Sequence, residues 1–136
     1  MIAAALCITV GAQIVSLPVR RFTLQWQHTV EKILWEEDYV VAGDWLLLER
    51  ARVLGSGAGM EPPPDAVREA KGWSYRPADR WRRSVVLARS EFGDDYRLCT
   101  QGDCRPLSKL IAARGPATLT SCASAKSAGR ISAERD

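Results

Sequence analysis

The residues best suited to chemistry lie close together between Gln27 and Tyr39. His28 is the only histidine of the chain, and Glu31, Lys32, Glu36 and Glu37 follow it within ten residues. An imidazole beside carboxylates suits three tasks: general acid–base transfer by a His28–Glu31 pair, ligation of zinc, manganese or iron, or a hydrogen-bonded network inside a core. With no second histidine, the common two- and three-histidine metal sites are excluded unless a cysteine takes part. Lys32 supplies a cation that can pair with Glu36 at the surface or hold an anion against a bare loop.

Such a loop follows at Gly55-Ser56-Gly57-Ala58-Gly59-Met60-Glu61 and runs into Pro62-Pro63-Pro64. Glycines free the backbone for close approach, and the prolines then stiffen the exit. Backbone N–H groups at Gly57 and Gly59 can form an anion nest beside Lys32. The loop is not a Walker motif, because no lysine-serine or lysine-threonine pair follows. Nor is Gly-Ser-Gly a nucleophile elbow, so neither Ser56 nor Ser90 reads as a hydrolase serine. The expected binding set is His28, Glu31, Lys32, Glu36, Glu37, Gly57, Gly59 and Glu61, with no resident cofactor or metal.

The elements that must position these groups read as strands. From Phe22 to Val30 the chain alternates, with Phe22, Leu24, Trp26 and His28 on one side and Thr23, Gln25 and Gln27 on the other. That period of two marks a half-buried strand. Trp35, Glu37, Tyr39 and Val41 share one face of the next strand. Ala42-Gly43-Asp44 is a turn into Trp45–Leu54, where Leu47, Glu49, Ala51 and Val53 alternate with Leu46, Leu48, Arg50 and Arg52. The short turn favours a hairpin over a helix there.

Leu6–Val10 and Ile14–Val19 form an earlier pair, and Asp65 starts a single helical turn toward Lys71. Gly72–Tyr75 and Ser84–Ala88 are further strands, and Tyr96–Cys99 with Cys104–Leu107 make a hairpin around Gln101-Gly102. Together these elements predict one all-β domain over residues 1–111: a sandwich or partly open barrel of about seven to nine short antiparallel strands. Residues 112–136 carry no aromatic side chain and are rich in Ala, Ser, Thr and Arg. They are expected to be a disordered tail, and Cys122 within them has no evident partner.

With 136 residues the chain suits one domain with a real core. The tail carries +2 of the net +3, leaving the body at +1, which gives no support for a phosphate-binding surface. Trp73, Tyr75 and Trp81 beside Arg76, Arg80, Arg82 and Arg83 resemble a platform for single-stranded nucleic acid. The near-neutral body favours ordinary hairpin packing, and no nucleic-acid partner is expected. The apolar start has no basic residue before Arg20 and is interrupted by Gly11 and Gln13, so neither a signal peptide nor a membrane span is expected. Cys99 and Cys104 face each other across the Gln101-Gly102 turn and are the disulfide candidates.

Three stretches carry a family resemblance: FTLQWQHTVEKILWEEDY at 22–39, GSGAGMEPPPDAV at 55–67 and SEFGDDYRLCTQGDCRPL at 90–107. They resemble a small bacterial domain of unknown function encoded beside fused-permease TRAP transporters of the TAXI type. Thr29 stands where that family carries serine, one hydroxyl for another. The resemblance implies a non-catalytic accessory module of a solute uptake system, binding a transporter component or a small organic acid. It also implies an extracytoplasmic location, although no anchor is visible in this chain. The competing expectation is an enzyme or metal-dependent protein using His28 and Glu31.

Overall fold

The computed structural model describes residues 4–27, 33–55, 64–69, 71–90 and 95–123. Within them lie twelve strands, in chain order β1 (Ala4–Val10), β2 (Gln13–Leu17), β3 (Arg21–Gln27), β4 (Leu34–Ala42), β5 (Trp45–Leu54) and β6 (Val67–Glu69). Then come β7 (Gly72–Tyr75), β8 (Trp81–Arg82), β9 (Ser84–Leu87), β10 (Arg97–Thr100), β11 (Asp103–Pro106) and β12 (Ala117–Ala123). The only helical piece among the described residues is a 3-10 turn at Leu107–Lys109, so no described helix is long enough to cross a membrane.

The strands form two antiparallel sheets that do not close into a barrel. The smaller has the order β2-β1-β12-β9, and the larger runs β11-β10-β3-β4-β5-β7-β6 with β8 added beside β5. Leu6, Ile8 and Val10 of β1, Leu87 of β9 and Leu119 of β12 meet Phe22, Leu24, Tyr39, Leu46 and Leu48 of the larger sheet in one core. The alternation that hides Leu6 and Ile8 is the same period that defines the strand. A second, smaller cluster holds Ile33, Val53 and Trp73, with Trp35, Ala66 and Tyr75 packed on it.

Three local expectations are corrected. The β4–β5 register shifts between Asp38 and Tyr39: Asp38 faces Arg50 while Tyr39 faces Leu48. Glu49 is therefore the extra residue of a bulge. This places Leu46 and Leu48 on the same inward face as Ala51 and Val53, and all four are buried. Strict alternation through Glu49 had separated them. Second, Val67–Glu69 is a strand paired with β7, where a helical turn from Asp65 was expected. Ladder bonds to Gly72–Ser74 give its backbone partners that an isolated helical turn lacks.

Third, the fold does not stop at residue 111. β12 lies between β1 and β9 in the smaller sheet, with Ala117 and Leu119 fully buried. The small residues of this stretch suit a strand pressed against another sheet, and their backbone is paired on both sides. Residues 124–136 lie outside the described ones. Cys122 finds a partner too: it is bonded to Cys7 on the neighbouring strand, with Cα atoms 5.9 Å apart. A bridge closing so long a loop restrains the unfolded chain by about 5 kcal/mol in the chain-entropy picture.

The expected Cys99–Cys104 bridge is present. The two residues are directly opposed across the β10–β11 hairpin, and Gln101 and Gly102 both take positive φ. Two left-handed residues in a two-residue loop match the twist of the flanking strands.

Candidate functional site

Glu36 and Glu37 are the two expected site residues that the structure describes, and strand alternation sends them to opposite faces of β4. His28, Glu31, Lys32, Gly57, Gly59 and Glu61 lie outside the described residues. The strands that lead to them end together. Gln27 pairs with Leu34, and Leu34 pairs with Leu54. Gly55 follows, its N–H donating to the carbonyl of Lys71 and its Cα facing the Ile33 side chain. The β3–β4 and β5–β6 connections thus leave the larger sheet at one end.

On the outer face of that sheet, Glu36 belongs to a ladder of ion pairs. Arg52 on β5 donates through Nη1 and Nη2 to both oxygens of Asp38 at 2.6 and 2.7 Å, and through Nε to Glu36 at 2.8 Å. Gln25 donates to the second oxygen of Glu36 at 2.5 Å, and the Thr23 hydroxyl donates to Asp38 at 2.7 Å. All are cross-strand neighbours on β3, β4 and β5. Burial alone would raise the Asp38 pKa, but the hydrogen bonds from Arg52 and Thr23 outweigh it and hold the carboxyl below its usual range. Arg52 in turn is held firmly protonated, chiefly by Asp38. Beyond it, Arg50 donates to the buried Ser74 hydroxyl, which donates to Glu69. Every charge in this ladder has a partner, and its chemistry is structural.

On the inner face, Glu37 sits between Leu24 and Ala51 in the cross-strand row. Its Oε1 accepts a hydrogen bond of 2.8 Å from the Tyr39 hydroxyl, and Tyr39 itself is 1% exposed. Around it stand the remaining aromatics of this end. Trp26 and Trp35, directly opposed, are stacked at 6.1 Å, and Tyr96 leans on Trp26 at 5.7 Å. Burial first and the Glu37 charge second push the phenols of Tyr39, Tyr75 and Tyr96 above the ordinary tyrosine value. All three tyrosines of the chain therefore feel this one carboxylate. Sequence alternation had already placed Trp35, Glu37 and Tyr39 on one face. It missed Trp26, Tyr75 and Tyr96 as neighbours, because only the strand order brings β3, β7 and β10 to β4.

Residues 22–107 match the domain of unknown function DUF1850. The chain belongs to that family. The DUF1850 span contains nearly the whole larger sheet, from Phe22 on β3 to the end of β11, whereas β1, β2 and β12 flank it. No curated protein and no solved structure matches the chain.

A recess whose lining does not include Glu37 lies elsewhere in the DUF1850 chain. It encloses about 410 Å³ between Arg89, Ser90, Asp95, Ser108, Arg114 and Gly115. Arg89 is almost buried, fork-bonded to Asp95 at 3.1 and 3.4 Å and donating to the carbonyls of Ala113 and Gly115. Arg114 is exposed and makes no ion pair with any described residue. The aromatic–arginine stretch from Trp73 to Arg83 is divided by the fold. Trp73 and Tyr75 join the inner cluster, whereas Trp81 is exposed and meets Trp45 edge-on at 6.2 Å.

Proposed function

We propose that this DUF1850 chain is a non-catalytic accessory module of a TRAP-type (TAXI) solute uptake system, working outside the cytoplasm. In this reading it binds a transporter component or a small acidic ligand. The observation that carries the reading is the pair of disulfides, Cys7–Cys122 and Cys99–Cys104. Bridges of this kind persist in oxidising compartments and are rare in the cytosol of mesophiles. The resemblance of the three motif stretches to a transporter-associated domain supplies the partner class. Support for a small organic acid comes from the recess where Arg114, without an ion-pair partner among the described residues, lies beside the Ser108 backbone turn and the Arg89–Asp95 clasp.

Thermal melting of the oxidised protein against a panel of organic acids, with co-purification against the neighbouring transporter components, tests the reading. A saturable rise in melting temperature that Arg114→Ala removes, or co-elution with a transporter component, supports it. Two freely alkylated thiols at Cys99 and Cys104 in protein taken from its native compartment would contradict it. Bound metal at one ion per chain, lost on His28→Ala, would favour the His28–Glu31 alternative.

A further inference from the structure

A carboxylate on the inward face of a sheet, in a row between Leu24 and Ala51, occupies a place where an aliphatic side chain would bury at no electrostatic cost. Glu36 and Asp38, its neighbours on the strand, are neutralised by Arg52. Glu37 forms no ion pair with any described residue. Its single described donor is Tyr39, which fixes Oε1 and leaves Oε2 without a described protein donor.

The surroundings select what this charge can hold. Trp26, Trp35, Tyr75 and Tyr96 remain partly open to solvent, while Tyr39 beneath is closed. A hard metal ion needs several oxygen ligands, and no cluster of three metal-binding side chains exists among the described residues. An organic cation needs something else: ring faces for its alkyl shell and one carboxylate for its charge. Ring faces attract such a cation within about 6 Å of their centroids, and tryptophan does so best.

We propose that Glu37, with Trp26, Trp35, Tyr75 and Tyr96, forms a binding site for an organic ammonium group. The Tyr39 hydroxyl is the positioning group, holding the carboxylate toward the rings. The proposal stands on the inner face alone and does not depend on the transporter reading or on the Arg114 recess. The same chemistry is offered by a free quaternary ammonium compound and by a lysine side chain of a partner protein.

The test uses the full oxidised chain and follows its indole N–H resonances during titration. The probes are choline, its neutral carbon isostere in which carbon replaces the quaternary nitrogen, and an N-acetylated lysine amide. Choline or the lysine amide should bind saturably and shift the Trp26 and Trp35 signals while leaving Trp81 in place. The neutral isostere should bind about tenfold more weakly, since it fits the rings but lacks the charge. Preference for choline identifies a free quaternary ammonium, and preference for the lysine amide identifies a protein side chain. Glu37→Gln should weaken binding about tenfold while lowering the melting temperature by no more than a few degrees, and Glu49→Gln on the outer face should leave binding unchanged. If Glu37→Gln does not fold, Tyr96→Ala takes its place, removing one wall and costing about threefold. Equal binding of choline and the isostere, or no movement of the Trp26 and Trp35 signals, would overturn the proposal.

Discussion

Glu36 and Glu37 are adjacent residues of the same type with opposite surroundings. Glu36 lies in a ladder where Arg52, Gln25, Asp38 and Thr23 satisfy one another across three strands. Glu37, one residue on, faces inward among aromatic rings with a single described hydroxyl donor. The pleat alone creates this difference, because a step of one residue exchanges faces. The lesson is physical: on the outer face charge is consumed by neighbours and gives stability, whereas on the inner face Glu37 has no ion-pair partner among the described residues.

The largest effect should come from breaking the outer ladder. Arg52→Ala leaves two partly buried carboxylates facing each other without their cation and should cost about 2 kcal/mol in urea unfolding, below the fully buried value because the groups keep some solvent. Glu37→Gln should cost less than about 1 kcal/mol, since an amide accepts the same hydrogen bond from Tyr39. If the inner substitution proved the more damaging, the division of labour between the faces would be wrong.

A smaller effect should appear in acid. The folded-state pKa of Asp38 is lowered, so its contribution is present above the ordinary value of 3.8 and is lost as the pH falls through the lowered folded value. Melting temperature should therefore decline below about pH 4, and less steeply in Arg52→Ala, whose ladder is already broken. Equal acid slopes in the two proteins would remove Asp38 from the account.

The smallest effect is spectroscopic. The folded-state pKa values of Tyr39, Tyr75 and Tyr96 are all raised above 10, so stability is intact below that value and is lost as the pH rises beyond it. Tyrosine absorbance should show ionisation only above pH 10, arriving together with alkaline unfolding. Glu37→Gln should bring Tyr75 and Tyr96 back toward the ordinary value, because one of the two causes of their shift is gone. Glu36→Gln, across the sheet, should leave the tyrosine titration where it was.

Much of the architecture was legible because alternation is a local property. Phe22, Leu24 and Trp26 announced β3, and Trp35, Glu37 and Tyr39 announced β4 with those three on one face, which the strand pairing turns inward. Cys99 and Cys104 could be paired because Gln101-Gly102 sets their register. The bulge at Glu49 was not legible, since an inserted residue leaves composition unchanged and shows only in the pairing with Asp38 and Tyr39. β12 escaped for a different reason. Its Ala, Thr and Ser residues have too little apolar surface to declare a strand, and its stability comes from the flanking β1 and β9, far away in sequence. The aromatic setting of Glu37 likewise depends on strand order. Of the expected site, only Glu36 and Glu37 fall within the described residues.

In an oxidising compartment the Cys7–Cys122 bridge would impose an order on maturation. Its two cysteines are 115 residues apart, so in such a compartment Cys7 would be exposed well before its partner is made. During that interval Cys99 and Cys104 appear and offer Cys7 two wrong partners. The hairpin answers this by proximity: five residues apart and held in register by a tight turn, these two meet far more often than Cys7 meets either of them. Once they have done so, Cys122 is the sole thiol left for Cys7. The short bridge would thereby guide the long one.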